Sequence, residues 1–496
     1  MTTTPEWVQD AIFYQIFPDR FARGRRMPDI GFEPWDSPPT NHGFKGGDLY
    51  GIAERLDYLT DLGINALYLN PIFASASNHR YHTYDYFNVD PLLGGNESLR
   101  VLLDAAHKKN VRVILDGVFN HASRGFWQFH HVLENGAGSP YKDWFFFDPE
   151  RLSGKKHWGA YPSQHEQRLL GHEDSLTAIG YRGWWNLPAL PKLNTNAPAV
   201  REFLFEVAEH WIKFGIDGWR LDVPSEIDDD SFWQEFRRRV RKIDPQAYIV
   251  GEIWHESQRW LQGDQFDAVM NYLITAASLS FFAGPRLDMH VVEKAGGLNG
   301  RVQPHMDANG FANEIDRIMH LYKPEITRSQ LNLLDSHDMP RFLSCSGGDK
   351  DSLKLAWLFI MSVSGAPCIY YGDEIGVDGG HDPDCRKSFP WDKHKWDEEL
   401  LAYAKNVIAL RKKNPALRRG DMKRLWSAHG VYAFSRTHDG KTLIVALNAS
   451  EKPEQLDVMN ETGKQPKPIF GEAGNLAVVE GHLKFTVPPR SGVVLK

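Results

Sequence analysis

Four apolar runs of the 496-residue chain end in side chains that carry chemistry. DGVFNH at 116–121 supplies Asp116, Asn120 and His121, and GWRLDV at 218–223 supplies Arg220 and Asp222; GEIW at 251–254 supplies Glu252, and SHD at 336–338 supplies His337 and Asp338. Side chains of these types give and take protons, and a carboxylate can also attack an electrophilic carbon. A buried acid is costly unless it is paired, hydrogen-bonded or protonated. Taken singly, each of these acids is readily explained as a loop cap or a structural ion pair. Several on one rim require a functional reason. Arg220 lies two residues before Asp222, on the same strand face, so it can hold that carboxylate ionised through a charge-assisted hydrogen bond.

For such groups to meet, the runs that carry them must lie side by side. Short runs rich in β-branched and aromatic residues alternate with longer segments of helical period, the pattern of repeated βα units. Eight strands are predicted, starting at Ala11, Asn65, Val111, Gly218, Ala247, Asp267, Leu331 and Pro367, with helical segments such as SLRVLLDAAHKKN and PAVREFLFEVAEHWIKF between them. Eight units point to an α/β fold of the (β/α)8 TIM-barrel class, in which the active site collects at the C-terminal strand ends. Two stretches do not fit. Residues 122–190 are rich in aromatics, Gly, Pro and His without sustained periodicity, and read as an inserted subdomain after strand three that overhangs the site. From 415 to 496 the pattern becomes alternating strands, with Asp439-Gly440 as a hairpin turn, and reads as a C-terminal β-sandwich. The barrel then comprises residues 1–121 and 191–414.

The four blocks, together with LPKLN at 190–194 and YQIFPDRFARG at 14–24, resemble in order and spacing the α-amylase family of glycoside hydrolases. The branch they look like contains the neopullulanases, cyclomaltodextrinases and maltogenic amylases. The resemblance implies a retaining hydrolase of α-1,4-glucosidic bonds in cyclodextrins, maltooligosaccharides, starch or pullulan, with transfer to sugar acceptors as a side activity. Retention needs two carboxyl groups about 5 to 5.5 Å apart. Asp222 matches the family nucleophile and Glu252 the acid/base. Asp338 matches the third acid, which holds hydroxyls of the sugar at the cleavage point. His121 and His337 match the histidine pair on that sugar, Tyr81 the aromatic platform under it, and Asp116 a structural support. Trp184 and Trp185, just before LPKLN, are read equally as core packing and as sugar contacts.

The departures also matter. The first βα loop of this branch often carries an Asn/Asp-rich run that binds calcium, which requires oxygen ligands; here it reads ARGRRMPDIGF, so no strong site is expected there, no metal is assigned and no cofactor is required. The chain starts almost at strand one, so the resemblance gives no warrant for the front β-domain that relatives use to dimerise, and the oligomeric state stays open. A net charge of −7 and a pI near 6.3 give no basic field for nucleic acid or anionic lipid. Three cysteines, Cys345, Cys368 and Cys385, lack metal-like spacing, and MTTTPEWVQD lacks the basic start and apolar stretch of a secretory signal. The run from Leu355 is broken by Gly365 and Pro367 and reads as helix then strand, not a membrane span. A cytoplasmic location is expected. Aromatic residues make up 12% of the chain, with 16 Trp, which suits sugar faces as well as cores. Two other readings share much of this pattern: an exo-acting α-glucosidase or glucanotransferase of the same family, and a catalytically dead barrel serving as a binding subunit. The three standing acids and the lack of an anchor argue against the last.

Overall fold

A computed structural model describes residues 4–156, 158–293, 298, 300–460 and 463–496. Among them, eight strands form one parallel sheet: β1 (Phe13–Ile16), β2 (Ala66–Leu69), β3 (Arg112–Gly117), β4 (Gly218–Leu221), β5 (Tyr248–Gly251), β6 (Ala268–Val269), β7 (Leu331–Leu333) and β8 (Ala366–Tyr370). Their order is β6-β5-β4-β3-β2-β1-β8-β7. A parallel bridge between Met270 and Leu331 brings the two edges together and closes the barrel. Nearly every strand residue is buried, as expected where helices cover the outside and side chains fill the middle. Seven of these strands fall within the runs expected from sequence, and β8 begins one residue before its run, at Ala366.

The helices that cover the barrel show why their segments are helical. Gly95–Lys108 buries Leu99, Leu102, Leu103 and Ala106, a stripe of helical period. Pro198–Phe214 begins with Pro in its first turn and ends on Gly215 in the left-handed region. Asp230–Ile243 is capped by Asp229, whose carboxylate accepts from the backbone N–H groups of Ser231 and Phe232. The apolar run from Leu355 lies in the helix Lys350–Ser362 and β8, as the broken pattern implied.

Between β3 and Pro198 the chain forms short helices and isolated bridges, Phe145 with Leu193, Phe147 with Tyr181 and Gly183 with Pro191. Its core is aromatic, Phe126, Phe129, Phe145 and Tyr181. A further bridge, His121 with Lys192, ties this segment to the end of β3. Beyond the helix Pro415–Arg419, antiparallel strands start at Asp421 and form a five-stranded and a three-stranded sheet. Val431, Ala433 and Val493 of one sheet pack against Leu456, Leu483 and Phe485 of the other, which makes a sandwich core. Val431–His438 and Lys441–Asn448 are the hairpin expected around Asp439-Gly440. Two buried arginines join this tail to the barrel. Arg436 donates to the carbonyls of Ser362 and Gly420, and Arg411 to those of Met361, Gly365 and Leu417.

The close approach of β4 and β5 sets the height of Arg220 and Asp222. At Gly218 a Cβ would lie 2.2 Å from the Tyr248 carbonyl oxygen, so no side chain fits without spreading the strands. Gly218→Ala is expected to cost about 2 kcal/mol of stability by overpacking and to lower activity as well. Chemical denaturation and turnover rates of the same preparation check this; a variant with unchanged values would mean that the strands yield freely.

Candidate active site

The expected site residues converge at the C-terminal ends of β3, β4, β5 and β7. At their centre is Arg220, whose side chain has no exposure at all. Its Nη1 lies 2.8 and 2.9 Å from the two oxygens of Asp116 and 3.0 Å from Asp222 Oδ1. Its Nη2 lies 2.9 Å from Glu252 Oε2, within ion-pair distance but off the line of a hydrogen bond. One guanidinium thus holds three acids from three strand ends, and Asp222 and Glu252 sit on its neighbouring nitrogens.

The acids differ in what else they touch. Asp222 leaves its Oδ2 buried and without a partner. Burial pushes its carboxyl well above the usual range; Arg220 pulls it down, and Glu252, Asp116 and Asp338 push it further up. Glu252 accepts from the Trp254 indole N–H at 2.9 Å and from the Val223 backbone N–H at 3.1 Å. Val223 is a β-branched residue with φ 36 and ψ 50, a left-handed conformation that such residues avoid. The strained turn directly after Asp222 therefore aims an N–H at Glu252. Asp338 accepts a long hydrogen bond from Arg386 at 3.4 Å. Burial, Glu252 and Asp116 push its carboxyl up to about 7 against the pull of Arg386 and Arg220. Its side chain is 31% exposed to the open cleft, so water weakens that push.

A hydrogen-bonded chain fixes the remaining groups. The amide nitrogen of Gln15 on β1 donates to Asn70 Oδ1 at 3.1 Å and faces His337 Nδ1 at 2.9 Å. With that nitrogen accepting, His337 carries its hydrogen on Nε2 and donates to the Tyr81 hydroxyl at 2.6 Å, while Tyr81 donates to Asp116 Oδ2 at 2.8 Å. The Tyr81 and His337 rings are parallel within 5°, at 5.4 Å. Burial and then the Arg386 and Arg220 charges hold the His337 imidazole well below its ordinary range, so it is neutral. Burial also takes His121 down to about 3. His121 keeps its Nε2 buried and unpartnered, a group that a sugar hydroxyl would satisfy.

All seven sequence-derived residues, Tyr81, His121, Arg220, Asp222, Glu252, His337 and Asp338, lie in this cluster or its rim. Asp116 is its buried support. Contributors that escaped the sequence reading are Gln15, Asn70, Val223, Trp254 and Arg386. The available signal for Gln15 was a polar residue inside the apolar run AIFYQIF. The first βα loop does not fit a metal ion. The Lys45 ammonium, fully buried, occupies the centre of its oxygen cluster, donating to the carbonyls of Pro34 and Ser37 at 2.9 Å each and to the Ser37 hydroxyl, with Glu33 Oε2 3.2 Å away.

Gln15→Leu keeps the bulk but removes the donor that fixes the His337 tautomer. The expected result is a drop of about tenfold in kcat/KM, the size of one unsatisfied buried group. Steady-state kinetics with a melting curve check it; full activity would show that His337 is oriented by other means.

Residues 15–396 match the family model described as alpha amylase, catalytic domain, and residues 424–494 match maltogenic amylase, C-terminal domain. A cyclomaltodextrinase of Geobacillus thermopakistaniensis is 44% identical over 94% of this chain and 71% of its own length. Neopullulanase 2 of Thermoactinomyces vulgaris is 41% identical over 99% of this chain and 78% of its own. A solved debranching enzyme from Nostoc punctiforme is 46% identical with a TM-score of 0.89, covering 100% of this chain and 99% of that one.

Proposed function

Because the chain belongs to the alpha-amylase family of glycoside hydrolases, we propose that it cleaves α-1,4-glucosidic bonds of cyclodextrins, maltooligosaccharides, starch or pullulan with retention, through a covalent glycosyl-Asp222 intermediate. The observation that carries this reading is the clamp on Arg220, which sets Asp222 and Glu252 side by side on one guanidinium. Arg220 holds Asp222 through Oδ1 and leaves Oδ2 to attack the anomeric carbon. As the Asp222–carbon bond forms, the glycosidic C–O bond breaks and Glu252 protonates the departing oxygen. Water then attacks the same carbon and gives its proton to Glu252, which releases Asp222. A sugar hydroxyl in place of that water completes a transfer. Asp338, His121, His337 and Tyr81 hold the sugar at the cleavage point.

Asp222→Asn is expected to lower kcat/KM on the order of 10⁴-fold, and Glu252→Gln by about 10²- to 10⁴-fold. Polarimetry or NMR of the first product should show the α-anomer. A β-anomer, or near-full activity in either variant, would refute the mechanism.

A second reading, favoured by the end-to-end match to the Nostoc debranching enzyme, is cleavage at α-1,6 branch points by the same machinery. Pullulan separates the two: α-1,4 cleavage releases panose or isopanose, whereas α-1,6 cleavage releases maltotriose.

No metal enters this proposal, since Lys45 already supplies the positive charge in the first loop. Exhaustive dialysis against a chelator is expected to leave both activity and melting temperature unchanged; loss of either, restored by calcium, would overturn that part.

A further inference from the structure

The His121 ring is stacked on the Trp184 indole at 4.7 Å and 7°, and Trp184 in turn on Trp185 at 4.3 Å and 17°. The two tryptophans, read as equals from sequence, are not equal here. Trp184 is sandwiched and packs the candidate sugar-binding histidine. Trp185 ends the ladder and is 74% exposed, with one face covered and the other open. That face borders a cleft of about 760 Å³ lined by Asp174, Arg182, Asn186, Lys192 and Glu226. Lys192 is the bridge partner of His121, and Trp184 stacks on that histidine, so the cleft lies beside the candidate active site.

The backbone makes this placement a costly one. Trp185 has φ 53 and ψ 29, and Asn186 follows with φ 59, two consecutive left-handed residues of which one is a bulky aromatic. Such a conformation costs on the order of 1–3 kcal/mol and persists only where its surroundings enforce it. Here they do. Gly183 N–H donates to Ser175 Oγ at 2.8 Å, Asn186 Oδ1 accepts from the Ser175 N–H at 3.1 Å, and Leu187 N–H donates to the Trp184 carbonyl at 2.9 Å. A Cβ at Gly183 would lie 2.4 Å from the Leu187 carbonyl oxygen. An indole so exposed returns little burial energy for that strain.

We propose that the open face of Trp185 is a glucosyl-binding subsite of the cleft. One ring of an α-linked glucan lies flat on the indole, and its hydroxyls reach the charged groups of Asp174, Arg182 and Glu226. A planar apolar face ringed by donors and acceptors fits a sugar, which presents C–H groups on its faces and hydroxyls around its edge. The proposal rests on the α-glucan reading above and deepens it.

The test compares Trp185→Gly, which removes the ring and relieves the left-handed strain, with Trp185→Phe, which keeps an aromatic face. On maltoheptaose and soluble starch the Gly variant should raise KM about 5- to 15-fold with kcat within about twofold, the signature of lost binding away from the reacting bond. The Phe variant should recover most of that loss. The melting temperature of the Gly variant should not fall. An active wild type with unchanged KM in the Gly variant would overturn the subsite alone, as would a loss confined to kcat with a lowered melting temperature, which marks Trp185 as a structural support of His121. A wild-type protein that releases no sugar from any α-glucan would overturn the hydrolase reading, and the subsite with it.

Discussion

The barrel's upper rim depends on a single buried cation. Arg220 has no access to water, and a guanidinium in that position is tolerable only because Asp116, Asp222 and Glu252 surround it. The dependence is mutual, since each acid without Arg220 would face the others uncompensated. Removing any member leaves a charge stranded where solvent cannot help, so the strand ends that carry these residues, β3, β4 and β5, are locked in relative height by electrostatics as well as by the sheet. The same balance keeps Asp222 fixed through one oxygen and unpaired through the other.

Much of this was legible in the sequence because barrel strands are buried on both faces and therefore announce themselves as uninterrupted apolar runs. The carboxylates stand where those runs stop, so Asp222, Glu252 and Asp338 could be located by elementary patterning, and ordered motifs assigned them roles. What stayed hidden depends on contacts between distant segments. Gln15 meets His337 across 322 positions, and nothing local in AIFYQIF says which way its amide turns. Lys45, in the polar stretch GFKGGD, reads as a surface residue, yet its ammonium is fully buried. Trp184 and Trp185 are neighbours of one residue type, and only the left-handed turn at Trp185 and Asn186 separates a packed ring from a displayed one.

Among the turns of unfavourable geometry beside the cluster are one at Val223 and one at Trp185 and Asn186. Neither residue type relieves strain as glycine would. In the first the return is an N–H aimed at Glu252, and in the second a flat indole at the mouth of the cleft. The stability spent there is supplied by the close-packed barrel below, whose largest fully buried side chains include Trp211, Trp219, Trp233 and Trp357. The aromatic surplus of the chain is thus mostly structural, with a small displayed fraction.

Lys45 carries a different lesson. A loop organised around a dissociable ion is ordered only to the extent that the ion is present, and its stability follows mass action through the ratio of free ion to dissociation constant. An ammonium on the chain itself has a fixed and high local concentration, in the way that a linked ligand does. The segment that joins β1 to its helices is held by Lys45 together with Arg23 and Asp19, contacts that all lie within the chain. Its equilibrium constant contains no concentration term.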